Sequence, residues 1–473
     1  MPKHAMKDVI VLLPGIMGSV LERDGTEVWA PSAGVVWRAL RSLGGTLQSL
    51  ELEGDDPDVD DLDDGFTATR LLPDIHLIPG FWTIDGYGAI SATIKARFDV
   101  TEGENYFEFP YDWRRYLQST ARRLDRESER WLADWKERSG NDDAKLVLVC
   151  HSMGGLVARQ FLEQLDGWRR TRRLVTFGTP YRGSINAVEG LVNGIGRQIG
   201  PLKFDLTEVL RSMPSVHQLL PVYRCVDDGS GELVRVAEAN LPGIAPDKAA
   251  EALAFHDGIR DAVREHADDP AYVLDGYSLH PIIGQKQTTK QSVVVEGGEV
   301  SFATDWRGAD HGGDGTVPRV SAVPREIADA SFGTFSAEQH ASLQNDAALL
   351  AHLEGVLSGT EIDLTKFESR TGPPPELGLE LDDVHAADES VPVRVRADAD
   401  DLELTVTVSD TAGVAGTVRA PLVQRADGRY EALLDPLPPA LYRVAVGVGR
   451  AESVTGILSV FDADDPGEAL SDD

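Results

Sequence analysis

The sequence predicts an α/β fold with a mostly parallel sheet, followed by a small all-β domain. Up to about residue 360, apolar strand-like runs alternate with helix-like stretches, which is typical of a parallel sheet covered by helices on both faces. Beyond about residue 390, apolar and polar residues alternate with a period of two, which is typical of half-buried strands. A serine in a tight strand-to-helix turn near residue 150 also belongs to sheets of the first kind.

The first predicted strand is the run from Val9 to Leu13, and a section without regular alternation follows it over about residues 20–105. The next elements are a strand in YFEFPYDW, a helix ending near Arg138, an apolar strand before the serine with a helix after it, and a strand in RRLVTFGTP. The residues that we expect to anchor a strand end through packing and charge-assisted hydrogen bonds are Tyr111, Trp113 and Arg114.

Residues 145–155, KLVLVCHSMGG, predict a nucleophilic serine at position 152. A buried strand ends at the small residue Cys150, and His151, Ser152 and Met153 lead into a glycine pair and a helix. Such a turn excludes bulky residues two positions from the serine, and it places the hydroxyl at a helix N-terminus, where developing negative charge is stabilised. Cys150 stands where the usual G-x-S-x-G pattern has its first glycine, and it is small enough for this approach. The alternative interpretation is a serine that only caps the helix.

A nucleophilic serine in this type of sheet requires an acid and then a histidine later in the chain. Asp314 lies in the glycine-rich segment ADHGGDGTVPRVSA, and His340 lies in TFSAEQHASL just before a helix-like stretch. We expect Asp314 to orient the imidazole of His340, which would take the proton of Ser152 and return it to the leaving group. Asp310 and His311 are nearby competitors for these roles, and both chosen residues could instead be turn or cap residues.

Acyl transfer also requires hydrogen-bond donors for an oxyanion. One expected donor is the backbone amide of Met153, directly after the serine, and the second should come from a loop after an early strand. The turn PGIMGS follows the first strand, and its glycines at positions 15 and 18 allow a close approach of backbone to a ligand. Ile16 is therefore the candidate for the second donor. The alternative is an ordinary turn that ends a strand.

Six motifs follow one another along the chain: PGIMGS, FPYDWRR at 109–115, HSMGG at 151–155, FGTPYRGS at 177–184, GDGTVP at 313–318 and a late EQHAS. In this order they resemble the lecithin:cholesterol acyltransferase and lysosomal phospholipase family of α/β hydrolases, in a prokaryotic-type member. The resemblance covers about the first 360 residues. It implies an α/β-hydrolase sheet with helical cap or lid insertions, and activity on acyl esters of phospholipids as a phospholipase or an acyltransferase.

By motif, the resemblance places Ser152 on the family's nucleophile, Asp314 on its acid and His340 on its base. It places Ile16 and Met153 on the two oxyanion donors, and it implies no metal or organic cofactor. This chain departs from the family in two respects. The secreted animal members use disulfides, one of them in a lid, and this chain has no cysteine there. Isoleucine at position 16 means that only the backbone role carries over.

The resemblance also assigns a cap and lid to the insertion at about 20–105, and a second insertion at about 185–250 would complete the cap. The apolar residues of the first insertion either line an acyl-chain groove or pack the cap against the sheet. A helical stripe that two glycines interrupt would present Val36, Leu40, Leu43, Leu47 and Leu50. The aromatic residues that lie among glycines further on are Phe81, Trp82 and Tyr87.

Composition limits the partners of this chain. Its 473 residues are 42% hydrophobic, which allows a large core and more than one domain, and its formal net charge is -33. Such a charge repels nucleic acids and anionic headgroups, so we expect no nucleic-acid partner and, at most, transient local contact of the lid with a membrane surface. No protein partner can be inferred. The two cysteines, Cys150 and Cys225, argue against a disulfide scaffold. Without a signal peptide or a transmembrane-length run, we expect a soluble, cytoplasmic protein.

The acidic run DDPDVDDLDDG at residues 55–65 raises the alternative of calcium binding. The D-x-[DN]-x-[DN]-G pattern with its distant glutamate is not met, and acidic chains produce such runs by composition. We therefore expect no metal site in this segment.

The C-terminal part predicts a β-sandwich of immunoglobulin-like form at 389–464, after a hydrolase domain at 1–365 and a Pro-rich, acidic linker at 366–388. A disordered tail is expected at 465–473. An Asp-Gly pair at 427–428 signals a hairpin, and the domain has no recognisable catalytic cluster. The alternating apolar positions that define two of its strands are Val391, Val393, Val395, Leu402, Leu404, Val406 and Val408.

The function that follows from the residues and the resemblance is a serine acyl-ester hydrolase or O-acyltransferase that acts on phospholipid-like esters through an acyl-enzyme on Ser152. Two alternatives stay open. One is a carboxylesterase or deacylase of other esters, and the second is a catalytically silent hydrolase fold that only binds.

Overall fold

The structure, a computed structural model, describes residues 3–30, 48–73, 76–78, 82–194, 196–199, 202–329, 331–359, 377–397, 402–411, 416–425, 428–448 and 454–461. Its α-helices are α1 (Gly88–Arg97), α2 (Leu117–Ser139), α3 (Met153–Gln164), α4 (Ile185–Asn193), α5 (Thr207–Ser212), α6 (Pro214–His217), α7 (Pro246–His266), α8 (Pro270–Asp275) and α9 (Ala347–Ser358). The strands before the C-terminal domain are β1 (His4–Ala5), β2 (Val9–Leu13), β3 (Ser19–Arg23), β4 (Thr26–Trp29), β5 (Phe66–Leu71), β6 (His76–Ile78), β7 (Trp82–Ile84), β8 (Phe98–Asp99), β9 (Tyr106–Glu108), β10 (Leu146–His151), β11 (Thr171–Phe177), β12 (Gly196–Ile199), β13 (Leu202–Asp205), β14 (Val226–Asp227), β15 (Leu233–Val234), β16 (Ser278–Gly284), β17 (Ser292–Glu296), β18 (Glu299–Ala303) and β19 (Thr334–Ser336). The C-terminal strands are β20 (Leu377–Leu381), β21 (Val384–Ala386), β22 (Val391–Ala397), β23 (Leu404–Asp410), β24 (Thr417–Pro421), β25 (Val423–Gln424), β26 (Arg429–Leu434), β27 (Ala440–Val448) and β28 (Val454–Phe461).

Six parallel strands form the central sheet, in the order β19-β16-β11-β10-β2-β9. Every residue of β2 and β10 is buried, so both faces of these two strands are covered. Their continuous apolar runs, VIVLL and LVLVCH, suit strands that bury side chains on both faces. The α/β fold class predicted from the sequence is confirmed, and the strand that ends at Ser152 lies inside the sheet rather than at its edge.

The first insertion contains strands as well as a helix. The strands β4, β3 and β5 form an antiparallel sheet in that order, β6 pairs with β7, and α1 follows. Leu50 and Tyr87 are both buried, whereas Trp82 begins β7. The other apolar residues predicted for the stripe and the aromatic cluster lie outside the described residues: Val36, Leu40, Leu43, Leu47 and Phe81.

The three residues expected to anchor a strand end are confirmed in that role. Tyr111 donates to a backbone carbonyl just beyond β2 at 2.9 Å, and the indole N–H of Trp113 donates to the carbonyl of the first residue of β3 at 3.1 Å. Arg114 is wholly buried and forms ion pairs with Asp112 at 2.6 Å and Asp64 at 2.8 Å. This motif therefore ties the first insertion to the turn after β2, which the candidate site uses.

The acidic run at 55–65 pairs with arginines at and near the start of α2. Among the described residues, no cluster of three or more histidine, cysteine, aspartate or glutamate side chains is arranged to hold a metal ion. Ion pairs with arginine neutralise part of the run, which gives these carboxylates a structural role. The pairs are Asp55–Arg115 at 2.9 Å, Asp60–Arg122 at 3.0 Å, Asp60–Arg126 at 2.6 Å and Asp64–Arg114 at 2.8 Å.

Two sheets face each other in the C-terminal domain, in the orders β20-β22-β26-β25 and β21-β28-β27-β23-β24. The alternating valines of β22 and the alternating apolar residues of β23 are buried in one shared core. The predicted linker at 366–388 is wrong over part of its length, because β20 pairs with β22 and β21 pairs with β28. These strands are short and lie in an acidic, proline-rich context, so the sequence did not indicate them as strands. Residues 366–376 and 465–473 lie outside the described residues.

Both cysteines, Cys150 and Cys225, are buried and unpaired. Burial raises the pKa of each thiol well above its usual value, so both are held as neutral thiols. Cys150 therefore serves as a small core residue of β10, as expected. Within the part of the chain that the structure describes, every helix falls short of the combined length and hydropathy of a membrane span.

Candidate active site

Ser152 lies in a sharp turn between β10 and α3. Its backbone adopts φ 51° and ψ -123°, a region that non-glycine residues rarely enter. The surroundings hold it there: its amide donates to the carbonyl of Phe177 at 2.8 Å, and its carbonyl accepts from the hydroxyl of Thr179 at 2.9 Å and the amide of Gly155 at 3.0 Å. This conformation lifts the hydroxyl above the end of the sheet, as the sequence pattern predicts.

The two glycines after the serine are required by close packing. A Cβ atom at Gly154 would lie 2.4 Å from the carbonyl oxygen of Pro14, and one at Gly155 would lie 2.0 Å from the hydroxyl oxygen of Thr179. Backbone from the turn after β2 therefore passes directly beside the start of α3. The expectation that the turn excludes bulky neighbours of Ser152 is confirmed.

The imidazole of His340 connects the serine to an acid. Its Nε2 lies 2.9 Å from Ser152 Oγ, and its Nδ1 lies 2.8 Å from Asp314 Oδ2. All three side chains are almost wholly buried. The structure thus brings together three residues that lie up to 188 positions apart in the chain.

The carboxylate of Asp314 is fixed by its own loop. Its Oδ1 accepts hydrogen bonds from the amides of Thr316 at 2.9 Å and Val317 at 2.6 Å, which leaves Oδ2 for His340. The amide of His340 also donates to the carbonyl of Asp314 at 2.8 Å, so backbone and side chain align the pair together. The GDGTVP motif therefore forms a carboxylate cradle.

The competing residues Asp310 and His311 make other contacts. Asp310 accepts from Gln291 Nε2 at 2.6 Å and from a backbone amide of its own loop. The ring of His311 lies 6.0 Å from that of Trp306. The contacts of this pair thus differ from those that align Asp314 and His340 with Ser152.

The turn after β2 packs against the serine. A Cβ atom at Gly15 would lie 2.9 Å from the Cβ atom of Ser152. Ile16 and Met153 are both buried, and Met153 is the first residue of α3, where amides have no acceptor within the helix. Both predicted oxyanion donors therefore belong to segments that border Ser152, and their catalytic role stays a prediction.

A second buried network links this turn to the histidine, and the sequence did not predict it. The Gly15 amide donates to the hydroxyl of Tyr87 at 2.7 Å, and that hydroxyl lies 2.9 Å from Nδ1 of His151. Nε2 of His151 lies 3.0 Å from the carbonyl oxygen of His340. Burial and the neighbouring His340 lower the pKa of His151 to about 3, so its ring is neutral.

The hydrogen-bond donors of this network follow from the chemistry of its members. The hydroxyl of Tyr87 accepts from Gly15 and has one proton, which it donates to Nδ1 of His151. The remaining ring proton is on Nε2 of His151, which donates to the His340 carbonyl. The sequence signal that could have indicated this role is the position of His151 directly before the serine. Its ring fixes the backbone of His340 relative to the predicted oxyanion turn.

Gly178 is a further residue that the sequence did not assign to the site. It follows β11 in the FGTP motif, has φ 59°, and a Cβ atom there would lie 2.8 Å from His340 Nδ1 and 2.9 Å from Asp314 Oδ2. The backbone at this glycine thus packs against the hydrogen bond between the histidine and the acid. Only a residue without a side chain leaves that bond undisturbed.

We expect Gly178→Ala to lower kcat/KM by about 10²-fold, because a methyl group there would displace the imidazole of His340 or the carboxylate of Asp314. The matched control is Gly103→Ala, at φ 80° with open space around its Cβ position. Both variants bear left-handed strain of about 1–2 kcal/mol, but only the first reaches the site. Kinetics with a soluble ester and thermal unfolding of both proteins test this. Equal losses of activity would contradict it.

A cleft of about 610 Å³ opens beside this site. Asp314, Gln339 and His340 line one side of it, and Arg394 and the segment 379–383 of the β-sandwich line the opposite side. Access to this side of the histidine therefore passes between the two domains.

Part of the chain matches a known protein family. Residues 63–241 match the family model described as lecithin:cholesterol acyltransferase. The chain is 22% identical over 338 residues to lecithin-cholesterol acyltransferase-like 1 of Arabidopsis thaliana, which covers 66% of this chain and 76% of that protein. It is 30% identical over 175 residues to an uncharacterized protein of Saccharomyces cerevisiae, which covers 36% of this chain. The match spans only 23% of that yeast protein's length.

Solved structures are also similar to this chain. Phospholipase PlaB from Legionella pneumophila aligns with 98% of this chain and 93% of its own, at 10% identity and a TM-score of 0.33. Lipase BlEst2 of Bacillus licheniformis in its propeptide form aligns with 95% of this chain and 73% of its own, at 12% identity and a TM-score of 0.30. The family resemblance predicted from the motifs is confirmed by the family match, which includes Ser152 and ends before Asp314.

Proposed function

We propose that this chain, an α/β hydrolase of the lecithin:cholesterol acyltransferase type, cleaves or transfers acyl groups of phospholipid-like esters through an acyl-enzyme on Ser152. The observation that carries the proposal is the hydrogen-bonded path from Ser152 Oγ through the imidazole of His340 to Asp314, with lengths of 2.9 and 2.8 Å. This is the arrangement that activates a serine for acyl transfer. The lipid character of the substrate is supported by the family match.

In the first half of the reaction, Ser152 Oγ attacks the ester carbonyl while Nε2 of His340 accepts its proton. The carbonyl oxygen gains negative charge, which the amides of Ile16 and Met153 would stabilise. The carboxylate of Asp314 stabilises the imidazolium and keeps its ring oriented. When the tetrahedral intermediate collapses, the C–O bond to the leaving alcohol breaks and His340 returns the proton to that oxygen.

In the second half, His340 takes a proton from water or from an alcohol, which attacks the acyl carbonyl on Ser152. Collapse of this second intermediate releases a fatty acid or a new ester, and the proton returns to Ser152 Oγ. Both outcomes use the same three side chains, so the acceptor that reaches the site decides between hydrolysis and transfer.

The strong negative charge of the chain also bears on the substrate surface. A net charge of -33 disfavours approach to anionic lipid headgroups. We propose that contact with a lipid surface is transient, is made through apolar residues of the cap, and is stronger on neutral or zwitterionic lipid. Product formation should therefore be faster on vesicles of zwitterionic phospholipid than on vesicles that contain anionic phospholipid.

The proposal is tested by labelling with a fluorophosphonate, which reacts with activated serines. We expect one label on the wild-type chain and none on Ser152→Ala, because the substitution removes the nucleophile. Ser331→Ala, on an exposed turn, is the matched control and should label like the wild type. A folded wild-type protein that stays unlabelled would favour the silent binding protein over an enzyme.

Product analysis then identifies the substrate class. The protein is incubated with mixed phospholipid vesicles or short-chain soluble esters, each with and without an added alcohol. Free fatty acid from phospholipid indicates a phospholipase, and a new ester of the alcohol indicates an acyltransferase. Turnover of the short-chain esters alone would instead indicate a carboxylesterase.

A further inference from the structure

Polar groups of the C-terminal β-sandwich contact residues that border the segments carrying His340 and Asp314. Its strand β27 supplies Arg443, β28 supplies Thr455, and β20 supplies backbone groups of residues 377 and 379. Their partners in the hydrolase domain are Asp85, Glu338 and Gln287. Of these, Glu338 lies two positions before His340. The contact is therefore made beside the proposed catalytic residues.

The strongest of these contacts is a bidentate ion pair. Nη1 of Arg443 donates to Oδ2 of Asp85 at 2.8 Å, and Nη2 donates to Oδ1. The carboxylate of Asp85 is buried, with 1% of its side chain exposed. Burial raises the pKa of Asp85, and the guanidinium of Arg443 opposes that effect by favouring the carboxylate. A buried carboxylate without such a partner is strongly unfavourable.

Asp85 is bonded in turn to the residues that follow His340. Its amide donates to the carbonyl of Ala341 at 3.1 Å, and its carbonyl accepts from the side chain of Asn345 at 2.7 Å. Gln344 donates to the carbonyl of the next residue, 86, at 3.0 Å. Arg443 is therefore two residues removed from His340, through Asp85 and Ala341.

Two further contacts hold the segments on the other side. The hydroxyl of Thr455 donates to Oε2 of Glu338 at 2.9 Å, and Glu338 lies two positions before His340. Gln287 accepts from the amide of Leu379 at 3.1 Å, and its own amide donates to the carbonyl beside Asp314, that of residue 313, at 3.0 Å. The sandwich thus contacts Glu338 before His340 directly, and it reaches Ala341 after it through Asp85 and the residue before Asp314 through Gln287.

We infer that the β-sandwich is a positioning part of the active site, in which Arg443 holds the segment bearing His340 through Asp85. This inference rests on the proposed role of His340 as the general base. Alignment of a catalytic group matters because a displacement of about 1 Å can reduce a rate by about 10²-fold. The role assigned to the domain is therefore positional rather than chemical.

The test compares two arginine variants of the full-length protein. Arg443→Met keeps the aliphatic stem and removes the guanidinium, and we expect kcat to fall about 10- to 10²-fold with little change in KM. Arg425→Met is the control, because Arg425 pairs with Glu431 inside the sandwich at 3.1 Å and is largely exposed. It should retain the kcat of the wild type. Arg443→Lys should recover part of the loss, since it keeps one charge opposite Asp85.

A double-mutant cycle separates positioning from a general loss of stability. In Arg443→Met alone, the carboxylate of Asp85 is left buried and unpaired, so the segment should shift. Combining Arg443→Met with Asp85→Asn removes that unpaired charge, and we expect kcat to recover above that of the single arginine variant. Thermal unfolding is recorded for each protein, and kinetics are measured well below the transition.

A readout that does not need activity is the low-field proton NMR resonance of Nδ1–H of His340, assigned by its loss in His340→Ala. We expect it to shift or broaden in Arg443→Met and in Thr455→Val, and to stay in place in Arg425→Met. Thr455→Val provides the same test if Arg443→Met fails to fold. An unlabelled wild type would refute the proposed function, while the resonance would still report on the positioning.

Two results would overturn the inference. One is a folded Arg443→Met protein with wild-type kcat, pH profile of kcat/KM and histidine resonance. The second is an equal loss of kcat in Arg443→Met and Arg425→Met, which would indicate a general effect of sandwich stability. A selective loss in Arg443→Met that the double variant relieves would support it.

Discussion

His340→Ala should lower kcat by about 10³-fold or more, because it removes the proposed base, which lies 2.9 Å from Ser152 Oγ and would take its proton and return it to the leaving alcohol. The rate of fluorophosphonate labelling should fall as well, since the hydroxyl then lacks its base. KM should change little, because the imidazole is buried and mainly acts on the reacting oxygen. Steady-state kinetics and labelling rates on the same preparation measure both effects. Added free imidazole should restore part of the rate by entering the vacated space.

The control for this prediction is His311→Ala. His311 follows the competing acid in sequence and contacts Trp306 rather than the serine. Its variant should therefore keep a turnover close to that of the wild type. A large loss of turnover in His311→Ala together with a small loss in His340→Ala would show that His311, and not His340, is the base.

Asp314→Asn should also lower kcat by about 10³-fold or more, for a reason that the carboxylate cradle makes specific. Oδ1 of Asp314 accepts from two backbone amides, so the asparagine would keep its oxygen there and turn its NH₂ group toward His340. Nδ1 of His340 would then have to accept a hydrogen bond, which puts the ring proton on Nε2. That tautomer cannot accept the proton of Ser152.

The measurement is kcat and its pH profile for Asp314→Asn beside the matched control Asp310→Asn. Asp310 binds Gln291 and its own loop, so its variant should behave like the wild type in turnover. A near-normal rate for Asp314→Asn would move the acid to Asp310 or elsewhere. Thermal unfolding of both variants shows whether either substitution acts by destabilising the protein.

Local sequence was sufficient for the elements whose geometry depends on neighbouring residues. The run LVLVCHSMGG predicted a buried strand, a tight turn and a helix, and the structure has β10, Ser152 with φ 51°, and α3 in that order. Hydrophobic period and glycine placement carry this information, because they act within about ten residues. The same information predicted the alternating strands β22 and β23, of seven residues each. It did not predict β20 and β21, which have only five and three residues and follow an acidic, proline-rich segment.

The pairing of Asp314 with His340 was predicted by their order along the chain and by resemblance, whereas the contacts that make it specific were not. Gly178 comes from a different strand end, and it matters because its backbone occupies the space beside the hydrogen bond of that pair. Tyr87 and His151 form a network between the predicted oxyanion turn and the His340 carbonyl. None of these contacts has a local sequence pattern, since each joins residues that are far apart in the chain.

Hydrophobic pattern, motif order and the family resemblance were therefore enough to predict the parallel sheet, the strained serine turn, the candidate acid and base, and the regularly alternating strands of the C-terminal domain. The packing of remote segments shows which aspartate faces the imidazole and which glycine must lack a side chain, and it brings Arg443 to the buried Asp85 beside the histidine segment. The difference lies in how far along the chain each determinant acts. Backbone conformation and hydrophobic period are set by near neighbours, while hydrogen bonds between chain segments and the exclusion of a Cβ atom depend on how remote elements pack.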